Sequence, residues 1–133
     1  MSAVDFGEWV APDLVLTLGG RTYKVSAPST ERAKKIMAAA VRGEVNLKFV
    51  DGDIPAEVQA VLDTIEPGDH PALGTVYDQL VHDGVDQFTI DRMGYYATFY
   101  WARGPKYADA LAKLLWSPIE TAAEADAEPA PKG

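Results

Sequence analysis

Residues 94–104 read GYYATFYWARG, five aromatic side chains in the seven positions from Tyr95 to Trp101, in a chain that is only 10% aromatic. Such density marks a recognition surface, a stacking platform for bases, or the inside of a small core. The flanking residues decide between them. Stepped at about 100° per residue from Phe88, Tyr95 and Phe99 fall near Phe88. Tyr96, Tyr100 and Met93 follow around the cylinder, and Ala97, Ile90 and Trp101 lie past the opposite side. Only Asp91, Thr98, Ala102 and Gly94 form a narrow strip without bulk. A helix that is apolar nearly all round is a buried helix. The segment 86–103 is therefore expected to be the central pillar of the fold, with Trp101, Tyr96 and Phe99 mostly buried. Its Tyr hydroxyls and Trp N–H should find partners or reach the surface at their tips.

The neighbouring segments read as helices that pack on this pillar. Ser29 or Thr30 caps a helix over 30–43, with Ala33, Ile36, Met37, Ala40 and Val41 on one stripe and Gly43 as its stop. Asp53 can cap a second helix over 54–65, carrying Ile54, Val58, Val61, Leu62 and Ile65. A third runs over 72–83, with Leu73, Val76, Tyr77, Leu80 and Val81, and ends at Asp83-Gly84. The pillar is the fourth. The fifth starts at Pro105 and runs to 116, with Tyr107, Leu111, Leu114 and Leu115.

Upstream, DLVLTLGGRTYKVS (13–26) alternates Leu14, Leu16 and Leu18 with Val15 and Thr17, turns at Gly19-Gly20, and returns with Tyr23 and Val25 on one face. That is a two-residue hairpin signal. An isolated hairpin is marginal in water, so it must lie on the helices, and Phe6 and Trp9 just before it are expected to join that contact. Downstream, SPIETAAEADAEPAPKG (117–133) has three prolines, four acidic residues and no bulky apolar residue beyond Ile119. It cannot bury enough surface to offset the entropy of ordering and reads as a flexible acidic tail. The expected fold is mainly α: one compact domain over 1–116, with a β-hairpin at 13–26 and about five helices within 30–116, and a disordered tail over 117–133.

Composition narrows the function. The 133 residues carry a net charge of −8 and no cysteine. Disulfide and thiolate chemistry is excluded, and long-range repulsion disfavours nucleic acid, whose binding rests on Lys and Arg at phosphates. The one basic cluster, Arg32, Lys34, Lys35 and Arg42, reads as the solvated face of a helix that could attract an acidic protein segment. No run approaches the roughly 18–20 apolar residues of a membrane span, and MSAVDFGEWVAPD reads as no secretory signal. These features suit a cytosolic chain.

The search for chemistry finds no site. His70 lies in the turn PGDHPA and His82 at a helix end, where a protonated imidazole suits the dipole. They are not spaced as a ligand pair and no carboxylate set completes a metal site. Asp51-Gly52-Asp53 starts like a calcium loop but lacks the later ligands. Gly19-Gly20 joins two strands and cradles no phosphate, and Ser26, Ser29 and Ser117 lack a nucleophile-elbow context. The expectation is a non-enzyme with no catalytic residues, cofactor or metal.

The segments DLVLTLGGRTYKVSAPS (13–29), EVQAVLDTIEPGDHPALGTVYDQLVHDGV (57–85) and IDRMGYYATFYWARGPKYADAL (90–111) together resemble the tail assembly chaperones of long-tailed phages, especially those infecting actinobacteria. The resemblance implies a protein of the host cytoplasm that binds the tape measure protein during tail building and is absent from the finished virion. It carries no residue-level binding site with it, and it leaves room for a homo-oligomer. The alternative is a structural tail or head–tail protein retained in the particle. Such chaperones commonly occur as a short product and a longer one made by −1 ribosomal slippage. Ala130-Pro131-Lys132 permits the heptamer C CCA AAG, so residues 1 to about 131 are expected to be shared with a longer frameshift product, a further partner.

Overall fold

The computed structural model describes the backbone of residues 3–127 and the side chains of residues 3–116. A short 3₁₀ turn, Phe6–Glu8, precedes β1 (Leu14–Leu18) and β2 (Arg21–Val25). Five helices follow: α1 (Thr30–Asn46), α2 (Ala56–Leu62), α3 (Val76–His82), α4 (Gln87–Arg103) and α5 (Pro105–Ala127). The fold is mainly helical, as the periodicity predicts.

The hairpin forms in the expected register, Leu18 opposite Arg21 and Leu14 opposite Val25. Gly19 and Gly20 both have positive φ, +55° and +87°. That is the turn whose twist matches two antiparallel strands, and side chains rarely tolerate it. The pleat then sends Leu14, Tyr23 and Val25 to one face, where all three are buried. They pack with Ile36, Leu73, Val76, Leu80, Ile90 and Ala97 in the larger apolar cluster. The Tyr23 hydroxyl donates to the Asp83 carboxylate at 2.7 Å and ties the hairpin to the end of α3.

A second cluster gathers Ala40, Phe99, Ala108 and Leu111. Tyr96, Tyr100 and Ala102 of α4 border both clusters, so α4 is the helix that joins them. The pillar is not buried all round. Ile90, Gly94, Ala97 and Phe99 make its buried line, whereas Tyr96 and Trp101 are half-buried and Phe88 is 83% exposed. The reason is the number of partners: α4 packs chiefly against α1 and α5, and two neighbours cannot surround a helix. The polar tips are satisfied. Trp101 Nε1 donates to the Ala72 carbonyl at 3.2 Å, and the Tyr96 hydroxyl donates to Asp109.

Several boundaries move for physical reasons. Gly43 does not stop α1; it is buried inside it, and the helix runs on to Asn46. The true stop is Lys48, at φ +66°. There Phe49 N–H donates to the Glu44 carbonyl at 2.9 Å and Lys48 N–H to the Val45 carbonyl at 3.0 Å, the paired bonds of a left-handed helix ending. Asp53 does not cap α2. The cap position is Pro55, with no side-chain bond, because the residue before a proline is steered to extended backbone and the helix cannot start at Ile54. It ends at Leu62, and tight turns carry the chain through Ile65. Residues 71–75 form turns rather than the first turn of α3, since Gly74 sits at φ +54°. Helical backbone in α5 continues past the expected end at 116 to Ala127. The Ala and Glu of ETAAEADA are good helix formers, which favours helical backbone there. The remainder of the expected flexible tail, 128–133, lies outside the described residues.

Candidate functional site

Three places bring functional groups together. A concavity of about 670 Å³ opens between the end of α1, the loop 66–71 and the start of α4. His70 Nε2 and Asp91 Oδ1 meet there at 2.9 Å, and Gln87 Nε2 donates to the same oxygen at 2.8 Å. The Gln87 bond, followed by the His70 contact, holds the Asp91 carboxyl below the usual carboxylate range. The His70 ring lies over Gly94, so close that a Cβ there would stand 2.5 Å from Nδ1. A His–Asp pair of this geometry orients a base when a nucleophile stands beside the free ring nitrogen. Here that nitrogen faces the α4 backbone instead. The pair therefore clamps the loop onto α4. His82 is exposed in the last turn of α3 and forms no hydrogen bond or ion pair among the described residues. Asp51, Gly52 and Asp53 are exposed in the connection to α2. No group of three or more His, Asp or Glu side chains converges to hold a metal ion among the described residues.

The second place is an ion pair between buried Glu44 and the partly exposed Arg103. Arg103 grips Glu44 with two bonds, Nε to Oε2 at 2.9 Å and Nη2 to Oε1 at 2.8 Å, and the Tyr107 hydroxyl adds a third at 2.8 Å. Arg103, and then Tyr107, hold the Glu44 carboxyl low against the opposing effect of burial. Burial first, then Glu44, push the Tyr107 hydroxyl up to about 12. The three bonds to the Glu44 carboxylate, two of them a bidentate grip, join α1, α4 and α5, so the cluster is a fastener. The sequence reading missed it because its members lie some sixty positions apart.

The third place is apolar. Met37, Ala33 and Val41 of α1 face Val58 and Val61 of α2 across a groove of about 520 Å³, open to water along its length. Met37 is 42% exposed. The sequence stripe on α1 was thus read correctly as apolar, but only part of it, Ile36 and Ala40, is buried. The seven-residue α2 is too short to cover the rest. Lys34 and Thr30 flank the groove on α1 and Glu57 on α2. Of the basic cluster, Lys34 and Arg42 are exposed, but Arg32 is drawn inward: its Nε donates to the Pro71 carbonyl at 2.9 Å, and its guanidinium covers Gly74.

Phe6 and Trp9 do not join the hairpin contact. They are 64% and 66% exposed and pack edge to face on each other, with ring centres 5.2 Å apart. The hairpin face they were expected to cover is already filled by the helices. Among the described residues no helix is long and apolar enough to cross a membrane.

Comparison with known proteins gives a family. A family model described as a domain of unknown function, DUF7426, matches residues 4–133. The chain belongs to that family. No curated protein and no solved structure matches it.

Proposed function

We propose that this member of the DUF7426 family is a phage tail assembly chaperone. It binds the tape measure protein in the host cytoplasm and keeps it from aggregating until the tail tube is built. The observation that carries the reading is the α1–α2 groove: an open channel, apolar on both walls, on a chain of net charge −8. An amphipathic helix lays its apolar face into such a groove, reading it at helical spacing. The single flexible Met37 lets the channel accept successive, non-identical segments of one long client. The negative charge keeps client-loaded copies dispersed. The likeness of 13–29, 57–85 and 90–111 to that class of chaperone supports the same reading.

Co-expression with the tape measure protein tests it. The client should move from the pellet to the soluble fraction and co-purify with this chain, and Met37→Glu in the open groove should weaken the recovery. A client that stays insoluble with or without the chain would sink the reading. Stoichiometric presence in mature virions would replace it with that of a retained structural tail or head–tail protein. As part of the proposal, a longer −1 frameshift product shares residues 1 to about 131. The gene shows this directly through a slippery heptamer over Ala130-Pro131-Lys132 followed by an open frame.

A further inference from the structure

The segment before the hairpin is shaped, yet none of the described residues covers it. The Asp5 carboxylate accepts the Gly7 N–H at 2.8 Å, and the Trp9 N–H donates to the Phe6 carbonyl at 2.9 Å. These bonds close a tight turn that presents the Phe6 and Trp9 rings as one knob. Val4 and Val10 beside them are 64% and 67% exposed. Contiguous apolar surface of this kind on a folded chain marks an interaction site. The α1–α2 groove is its counterpart, an apolar channel that none of the described residues fills.

We propose that the N-terminal arm of one copy seats in the α1–α2 groove of a second copy, and that two copies exchange arms reciprocally. Size, charge and area favour this occupant. An apolar cavity of about 150 Å³ holds one benzene ring, so a groove of about 520 Å³ holds a phenyl and an indole together. The charged side chains of residues 3–13 are all acidic: Asp5, Glu8 and Asp13. Lys34 lies on the α1 wall with Lys35 beside it, and Glu57 lies on the α2 wall. The acidic edge of the arm is therefore set towards α1. Seating Val4, Phe6, Trp9 and Val10 removes roughly 500 Å² of arm surface and a similar area of groove. One such contact, about 1,000 Å² in all, is at the low end for a stable interface. Two related by a two-fold axis reach about 2,000 Å², which suffices. Arm and client helix would use the same walls, so a bound client displaces the arm; that step alone rests on the function proposed above.

The test uses the full chain without client, by sedimentation and light scattering across a wide concentration range. The wild type should be a dimer that dissociates on dilution. Phe6→Ala/Trp9→Ala should raise the dissociation constant by about 100-fold or more, the effect of losing central aromatic anchors. Met37→Glu should do the same from the groove side. Both variants alter exposed positions, and far-ultraviolet circular dichroism checks that each is folded. Mixed in equal amounts, the two variants should form a heterodimer weaker than the wild-type dimer but tighter than either variant forms with itself, since one intact arm then meets one intact groove. A wild type that is monomeric at every concentration overturns the proposal. So does a Met37→Glu variant that dimerises normally, which would place arm against arm, or a ladder of species beyond the dimer. None of these results bears on whether the tape measure protein binds.

Discussion

The ring edge of Phe99 lies 2.9 Å from where a Cβ on Gly43 would stand, and the Tyr95 hydroxyl lies 3.1 Å from the same point. Helices α1 and α4 thus meet backbone against ring at the place where the smaller apolar cluster closes. Phe99 is almost fully buried and stacks on Tyr107, with ring centres 5.6 Å apart, so it has little room to yield.

Gly43→Ala should therefore destabilise the protein. In an exposed helix interior the change would stabilise by roughly 1 kcal/mol. Here overpacking of a rigid ring should outweigh that gain and leave a net loss of about 1–2 kcal/mol. Phe99→Ala, which empties the same spot, should cost about 3–5 kcal/mol. Urea titration of the two variants and of the double mutant measures all three quantities. A Gly43→Ala protein more stable than wild type would mean that the two helices are free to separate.

Glu44→Ala should cost about 2–3 kcal/mol, because it strands Arg103 and Tyr107. The lower part of the usual range applies, since the Arg103 side chain is about one-third exposed and can recover water. The same carboxyl gives the acid response a sign. Its folded-state value lies below the ordinary range. The stability it lends is therefore complete above about pH 4.5 and is lost as the pH falls further. A melting-temperature profile for Glu44→Gln should be flatter than wild type below that point.

At the alkaline end the tyrosines act in the opposite direction. Tyr96, through burial and then its bond to Asp109, is pushed up to about 12, as Tyr107 is. Both hydroxyls must stay protonated to donate to their carboxylates. Their folded-state values exceed the unfolded one, near 10, so their contribution is full below about pH 10 and is lost as the pH rises towards 12. Absorbance titration should show at least two late-ionising tyrosines. Tyr96→Phe and Tyr107→Phe should each remove one of them.

Lys48→Gly should stabilise the protein by about 0.5–1 kcal/mol. A side chain at φ +66° bears a steric penalty of roughly 1–2 kcal/mol, partly offset by the greater freedom of glycine in the unfolded chain. Thermal unfolding of the variant checks the direction, and Lys48→Val should move it the other way.

These positions also explain what could be read in advance. The hairpin was legible because Gly19-Gly20 and the alternation around it state turn, register and buried face within fourteen residues. Burial of Phe99 was expected because the whole of α4 reads as apolar. Helical spacing, however, placed it beside Phe88, which is exposed, and set Gly94 off the buried line, so the line itself was not legible. The end of α1 was not, for Lys48 does the work usually done by glycine while Gly43 serves a contact fifty-six positions away. Periodicity marked Met37 as apolar but could not tell that α2 would be too short to cover it. The exposure of Phe6 and Trp9 was illegible for a similar reason: apolar composition says that a side chain seeks a partner, not that its own chain supplies one.

Both apolar clusters depend on α4, which occupies positions 87–103 of the chain. A ribosome makes the hairpin, α1, α2 and α3 first, and none of them has a finished partner surface until that helix emerges. The first two-thirds of the polypeptide must therefore wait, with Leu14, Val25, Ile36 and Leu80 uncovered, and consolidate together once the aromatic segment arrives. Folding during synthesis should come late and nearly all at once, so truncations before residue 103 should yield collapsed, aggregation-prone chains rather than smaller stable domains.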